Sequence, residues 1–319
     1  MMPRSSRPRR PAKTRIALVT ATEARPLDLD LAPLQAALSE LGAEVAAPAW
    51  DDPAVDWGGF DAAVLRSTWD YVDRIDEFLQ WCDRCAARTR LLNPPPVVRW
   101  NTDKHYLLEL AHRGVPVVPT RYVEPGDDPA ATLAAFLGTG KGRLTVGRAG
   151  DFAEFVAKPA IGAGSRDAAR FGRGDVAAAA AHVRRLLDAG RSVLLQPYLG
   201  RVDQDGETAV LYFGGSYSHA VRKGPLLAVG AAPVAGLFAP EEMQAREPDA
   251  PELEAAAAAY AAIPFAPPVY ARIDLLRDVD GAPVVLELEL TEPALFFPEA
   301  PGAAQRFASH LMRVVTPTR

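Results

Sequence analysis

The sequence predicts a mixed protein: an α/β unit with a parallel sheet at the N-terminus, followed by α+β lobes built on antiparallel sheets. Three observations carry this. Strand-like and helix-like segments alternate over roughly the first hundred residues, which argues for parallel strands covered on both faces. Asp280-Gly281 separates two apolar runs, 269-VYARIDLLR-277 and 284-VVLELELTEP-293, a strong hairpin signal. Gly214-Gly215 joins 207-ETAVLYF-213 to 216-SYSHAVR-222 in the same way.

Taken in order, 15-RIALVT-20 reads as a buried strand and 31-LAPLQAALSELG-42 as a helix closed by Gly42. A second strand, 60-FDAAVLR-66, precedes a helix around 74 to 88. In parallel sheets ligands sit beyond the carboxyl ends of strands, and two polar stretches fall there, 20-TATEARPLDLD-30 and 66-RSTWDY-71. After the Pro-rich break 93-NPPP-96, Asn101 or Thr102 is expected to cap a helix that Gly114 ends, with a strand over Val115 to Thr120. Residues 125 to 150, rich in Gly, Pro and Ala, give no assignment. Then come a strand, 154-EFVAKP-159, a Gly-rich loop, 161-IGAGS-165, a helix around 175 to 189 and a strand, 192-SVLLQPYL-199. No internal repeat is present.

The chain has 319 residues, beyond the about 250 to 300 at which single cores stop growing, so two or three lobes are expected. Hydrophobic residues make up 49%, charged residues 24%, and the net charge is -5. This profile implies no general attraction to nucleic acid. No run of about 18 apolar residues would span a membrane. The first fifteen residues carry Arg4, Arg7, Arg9, Arg10, Lys13 and Arg15 without an acid. The short apolar run after them is less than a secretory signal needs, so they read as a disordered basic arm. The two cysteines, Cys82 and Cys85, share an amphipathic helix face with Phe78 and Trp81. They read as core residues and fit a reducing cytoplasm.

The C-terminal hairpin carries the chemistry. Pairing symmetric about Asp280-Gly281 sets Asp274 opposite Glu287 and Arg272 opposite Glu289. Alternation then gives one face to Glu287 and Glu289 together with Val285 and Thr291, and the other to Leu286, Leu288 and Leu290. Three converging carboxylates need a cation or full exposure to water. Magnesium, a hard ion held by carboxylates and phosphates, is the natural candidate, and Arg272 could hold the phosphate it polarises. The competing reading is a solvated face with Arg272 as a plain ion-pair partner. Phosphate-binding candidates are Lys104, Lys158 in a buried-type strand, and the backbone of Gly162, Ala163, Gly164 and Ser165. The run 138-GTGKG-142 is not a P-loop, and 162-GAGSRD-167 lacks the last Gly of the dinucleotide fingerprint.

In this ordered spacing, over about residues 100 to 300, the chain resembles the ATP-grasp superfamily. The resemblance implies a Rossmann-like parallel N-terminal domain (residues 15 to 100), a central lid domain (101 to 195) and a C-terminal antiparallel domain (196 to 319). It implies that Lys104 and Lys158 contact ATP phosphates and that Gly162 to Ser165 covers them. Gln196, Tyr198 and Leu199 of 195-LQPYL-199, with Asp203 beyond, would hold the nucleotide at the hinge. Arg272 and Lys158 would act on the transferred phosphoryl group, and Asp274, Glu287 and Glu289 would bind magnesium. Glu289 stands where Asn is frequent, and 207-ETAV-210 replaces the Asp-x-Arg of many peptide-forming relatives.

A narrower resemblance, to cyclo-ligases of the D-cycloserine synthetase type, rests on 64-VLRSTWDY-71, 206-GETAVLYFGGSYSHAVRKGP-225 and 286-LELELTEP-293. It implies ATP- and Mg2+-dependent ring closure of an O-ureido-amino acid, after activation of its ureido carbonyl, in antibiotic biosynthesis. The substrate would be met by Glu23, Arg25, Arg66, Ser67, Thr68 and Asp70, with Arg222 and Lys223. Trp69 and Tyr71 are also explained by interlobe packing. Symmetric pairing about Gly214-Gly215 sets Arg222 opposite Glu207, and His219 reads as a structural histidine rather than a base. The expected partner is a small amino-acid-like molecule, with neither nucleic acid nor membrane and with a homodimer left open. Alternatives are a peptide or amine ligase on other small molecules, a phosphotransferase, and a nucleotide-binding regulator without turnover.

Overall fold

A computed structural model describes residues 13–138, 144–146, 152–225, 227 and 242–316. The basic arm expected over residues 1–14 falls almost wholly outside the described residues, as does most of the glycine-rich run at 138 to 142. Among the described residues no helix is long and apolar enough to cross a membrane.

Three sheets organise the chain. The first is parallel, with strands β1 (Arg15–Thr20), β2 (Glu44–Ala46), β3 (Ala62–Ser67) and β4 (Arg90–Leu92) in the order β2-β1-β3-β4. Ile16 to Val19 are all fully buried, the near-continuous apolar run of a strand covered on both faces. Helices α1 (Leu31–Glu40) and α2 (Ile75–Ala86) follow β1 and β3. Phe78, Trp81, Cys82 and Cys85 form the buried stripe of α2, and Asp76 and Glu77 in its first turn complement the helix dipole. Burial raises both thiols, Cys85 to about 12, as expected of core cysteines.

Residues 101 to 120 depart from expectation. Pro95–Asn101 forms α3, which Asn101 ends rather than begins, and α4 spans Tyr106–His112 without a side-chain cap. The Asn101 side chain is spent instead on β13, described below. Val115 to Thr120 makes only isolated bridges at Val117 and Thr120, and the strand starts one residue later.

The second sheet is antiparallel, with β5 (Arg121–Val123), β6 (Glu154–Pro159), β7 (Ala169–Gly172) and β8 (Val193–Pro197) in the order β5-β8-β6-β7. Helices α5 (Pro129–Leu137) and α6 (Val176–Asp188) cover one face, and Leu133, Phe136, Phe155, Ala157, Val183, Leu186 and Leu195 form a core of their own. α5 lies in the stretch that periodicity left unassigned, where small residues blur the apolar stripe.

The third sheet contains β9 (Glu207–Phe213), β10 (Ser216–Lys223), β11 (Met243–Arg246), β12 (Tyr270–Arg277) and β13 (Pro283–Glu289), in the order β11-β10-β9-β12-β13, and is preceded by the short helix α7 (Val202–Asp205). α8 (Ala250–Ala261) begins with an Asp249/Glu252 capping box, and α9 (Ala303–Val315) buries Phe307 and Leu311. Ile16, Leu34 and Val64 of the first unit share one core with Leu211, Tyr270, Phe307 and Leu311. Leu107 and Leu110 of α4 pack with Val210, Ile273 and Leu288, so that helix is built against the third sheet.

Both hairpins carry a one-residue irregularity that symmetric pairing misses. Between β9 and β10 the register shifts at Tyr217/His219, so Glu207 opposes Lys223 and Arg222 opposes Thr208. In the other hairpin Asp274 opposes Glu287 and Arg272 opposes Glu289, as expected, but Leu275 opposes Val285. The skipped Leu286 turns toward Val118, Leu276 and Val284, whereas Val285 joins Leu288 and Leu290 in the core. The alternation expected for residues 285 and 286 is therefore reversed.

Candidate active site

A cavity of about 320 Å³ lies between the second and third sheets and reaches the loops of the first. Period-two alternation supplies its walls. On β6, Val156 and Lys158 face the cavity while Phe155 and Ala157 enter the core. On β12, Arg272, Asp274 and Leu276 face it while Ile273 and Leu275 are core.

The two glutamates of β13 are tolerable because each meets a cation. Glu287 lies 2.9 Å from Lys104 Nζ and 3.9 Å from Lys158 Nζ, and Glu289 pairs with Arg272. Arg272 also grips Asp274 through Nε–Oδ1 and Nη2–Oδ2 bonds of 2.9 Å each, the fork geometry that favours arginine. Lys223 Nζ reaches Glu207 at 2.5 Å and Asp274 at 3.5 Å. Four acids (Glu207, Asp274, Glu287, Glu289) thus face four cations (Lys104, Lys158, Lys223, Arg272).

Titration within the cluster follows position. Burial alone would raise Asp274, but Arg272 and then Lys223 hold it at about 2. Burial likewise opposes the lowering of Glu287 that Lys104 and Lys158 achieve. For Glu289 burial prevails over Arg272, with Asp274 and Glu287 adding to it, and the carboxyl is pushed up to about 7. Burial also raises Glu292 to about 8, reinforced by the charge of Glu289. Lys158 is lowered by burial against the pull of Glu287.

Lys104 is fixed through several bonds: its N–H donates to Ala160 O, its carbonyl accepts from Tyr122 Oη, and Nζ donates to Gly162 O at 2.7 Å. It thereby ties the Gly162 to Ser165 loop to the acids. That loop carries an unusual left-handed run, with Gly164 at φ 61, Ser165 at φ 59 and Asp167 at φ 61. Two non-glycine residues in this region store strain. Asp167 is anchored by Arg185 and Arg191, and Arg166 bonds Asp73 of the first unit.

At and just beyond the end of β8, Gln196, Tyr198 and Leu199 line the cavity. Gln196 donates to Thr120 Oγ1 at 2.9 Å. Tyr198 stacks under Arg170 at 3.4 Å and donates to Asp203, so Asp203 stands behind the wall as a support.

The expected substrate residues divide. Lys223 lines the cavity; Glu23 and Arg25 are exposed and do not, and the lining residues of their stretch are Leu27, Asp28, Leu29 and Asp30. Arg66, Ser67, Thr68 and Asp70 also stand outside it. Arg66 is fully buried, donating to Pro293 O at 2.9 Å and lying 3.6 Å from Asp30. Ser67 pairs with Thr20, and Asp70 accepts from Trp50 and Arg74. Arg222, expected against Glu207, instead donates to the carbonyls of Gln204 and Asp205 and closes the end of α7. Trp69, Tyr71, Asp28 and Glu292 line the cavity without having been singled out as site residues. His219 donates from Nε2 to Leu295 O, shares a hydrogen bond between Nδ1 and Ser218 Oγ, and does not face the cavity.

Among the described residues no three His, Cys, Asp or Glu side chains form a ready-made metal cage. The donor set nevertheless fits magnesium, whose usual ligands are one or two carboxylates together with phosphates and water. Glu287 and Glu289 offer hard oxygens beside lysines able to receive those phosphates.

Comparison with known proteins agrees with this geometry. Residues 16–93 match the family described as the N-terminal domain of D-cycloserine synthetase DcsG. The chain is 41% identical over 309 residues to the cycloserine biosynthesis protein DcsG of Streptomyces lavendulae, covering 95% of this chain and 99% of that one. The crystal structure of D-cycloserine synthetase DcsG superposes with a TM-score of 0.85 at 40% identity, covering 95% and 100% of the two chains. The ATP-grasp ligase PsnB, solved with a precursor variant, Mg and ADP, shares the fold at a TM-score of 0.62 and 18% identity, covering 95% and 99%. This chain therefore belongs to the D-cycloserine synthetase family and is an enzyme of the ATP-grasp ligase fold.

Proposed function

We propose that this chain is an ATP- and magnesium-dependent cyclo-ligase that closes an O-ureido-serine to a cycloserine-type ring. The observation that carries the reading is the balanced cluster of Lys104, Lys158 and Arg272 on Glu287, Glu289 and Asp274 inside one cavity, in a chain 41% identical to a cycloserine biosynthesis protein. In this reading residues 15 to 100 form the substrate side, 101 to 195 the lid and 196 to 319 the metal side.

Ring closure needs a carboxylate oxygen to become a leaving group, because the cycloserine ring joins the serine carboxyl carbon to the nitrogen on the side-chain oxygen. Activation of that carboxylate replaces the ureido activation expected from sequence. The carboxylate oxygen takes the terminal phosphoryl group of ATP and releases ADP. The nitrogen lone pair then attacks the acyl carbon, phosphate departs with the bonding pair, and the N–H proton passes to water. Hydrolysis of the carbamoyl group completes the product.

When bound, magnesium would neutralise charge on the transferred group beside Glu287 and Glu289. Lys104 and Lys158 exchange Glu287 for the phosphates, so that no lysine is left buried and unpaired. Arg272, held by Asp274, presents a fixed cation to the transferred group. The loop at 162 to 165 excludes water from an acyl phosphate that water would destroy. Gln196, Tyr198 and Leu199 line the adenine end. Two free buried thiols suit a cytoplasmic setting.

The test is ADP release against a panel of O-ureido-serine, single amino acids, amino-acid pairs and small peptides, with hydroxylamine as a trap. The expected result is release with O-ureido-serine alone and a hydroxamate in the trap. A response to amino-acid pairs instead, or a stable phosphorylated product, refutes it.

A further inference from the structure

We propose that Asp28 and Glu292 form a subsite for the free ammonium group of the amino-acid-like substrate. The inference deepens the ring-closure reading and rests on it. Both side chains line the cavity and are only 7% exposed. Every acid of the neighbouring cluster has a cationic partner, whereas among the described residues no ion pair reaches either of these two. Asp28 Oδ1 accepts from the Asp30 amide at 3.0 Å, and Oδ2 is buried without a donor. The Glu292 carboxyl shares one hydrogen bond with the Tyr71 hydroxyl. A buried carboxylate short of partners is costly unless a ligand completes it.

The fold holds this pair at one end. Asp30 accepts from the amides of Leu295, Phe296 and Phe297, Arg66 donates to Pro293 O, and Trp69 Nε1 donates to Glu292 O. The segment bearing Glu292 is thus stitched to the loop bearing Asp28. Trp69 and Tyr71 line the same end, whereas the Phe296 ring is taken by Arg272, and aromatic faces favour an ammonium over a hydrated metal. An ammonium brings three donors and no acceptor, the complement of two under-filled carboxyl groups, and its charge beside Glu292 favours release of the proton that burial holds there. Ring closure consumes the carboxyl group and the nitrogen on the side-chain oxygen, so the α-ammonium stays intact throughout and is free to serve as the handle.

The experiment is isothermal titration of the full chain with O-ureido-serine and with its analogue lacking the α-amino group. It is run on the unaltered chain, Asp28→Asn and Glu292→Gln, with ADP release followed in parallel. Charged hydrogen bonds of this kind give a preference of about tenfold or more for the amine. Each substitution is expected to remove most of that preference, while retained ATP binding shows that the variant is folded. Asp28→Asn decides the matter should Glu292→Gln lose ATP binding. Equal affinity for the two probes in the unaltered chain, or a preference unchanged in the variants, overturns the subsite even if O-ureido-serine is turned over. A preference without ADP release supports the subsite and refutes ring closure; no binding of either probe overturns both.

Discussion

Glu287→Gln isolates the charge on which the proposed chemistry depends. Its carboxylate sits 2.9 Å from Lys104 and 3.9 Å from Lys158, attractions of about 6 and 4 kcal/mol at an effective dielectric near 20. Most of this is offset by desolvation, and removing one partner of a buried pair typically costs about 3 kcal/mol or more. The amide keeps the shape and one hydrogen bond, so the variant should fold with an unfolding midpoint several degrees lower. Turnover should suffer more. Loss of a group that stabilises transferred charge costs about 100-fold or more, whereas ATP affinity should change by less than about tenfold because the two lysines are freed for phosphates. ADP release and nucleotide titration on the same sample separate these effects. If release stays within about threefold of the unaltered enzyme while the midpoint falls, Glu287 is an ion-pair partner only and the metal role is refuted.

Burial lowers His219 to about 4 against its bond to Leu295 O. The unfolded chain therefore binds the extra proton between about 6.5 and 4, and stability should be complete above 6.5 and fall by up to about 3 kcal/mol as pH drops through that window. His219→Gln should flatten this part of the denaturation profile, and an unchanged slope refutes the assignment. Gly206→Ala should cost more than about 2 kcal/mol and lower activity. Gly206 has φ +74, and an added Cβ would lie 2.6 Å from Lys223 O, displacing a cavity residue; a variant of normal stability contradicts this. Cys82 and Cys85 should resist thiol reagents at pH 8 until the protein unfolds, since burial raises both. Rapid labelling of the native enzyme would show that α2 opens.

The parallel unit was readable because burial on both faces leaves an uninterrupted apolar run such as Ile16 to Val19. The Asp274–Glu287 and Arg272–Glu289 pairs match symmetric pairing because the bulge at Leu286 offsets a one-residue slip beside the turn, where Arg277 opposes Pro283 and Leu275 opposes Val285. The bulges themselves were not legible: nothing in the residue types marks Ser218 or Leu286 as the extra residue, yet one of them moves Arg222 off Glu207. Asn101 carries a capping residue's chemistry, but its donor and acceptor are used by Leu288 O and Leu290 N, nearly two hundred residues away. Substrate-side positions failed for a similar reason. Arg66 and Asp70 are polar residues at a strand's carboxyl end, where ligands sit, but long-range partners at Pro293, Asp30 and Trp50 consume them. Asp28 and Glu292 offered no distinguishing signal beyond lying in quoted stretches; that no ion pair among the described residues reaches them is a property of the folded chain.

The shared interior of the first and third sheets has a mechanical consequence. Asn93 clamps Val269, Tyr270 and Leu290, and Asp30 grips three successive amides beyond β13, so the floor and one flank of the chamber form a single anvil. The second sheet has packing of its own around Phe136 and Phe155, yet Tyr122, Ala160 and Leu194 also enter the interior of the third beside Val210 and Leu288, so it is braced against that anvil. Lys158 and the glycine-bearing loop ride on it, and through Glu287 and Lys104 they are joined to the acids from the opposite side of the chamber.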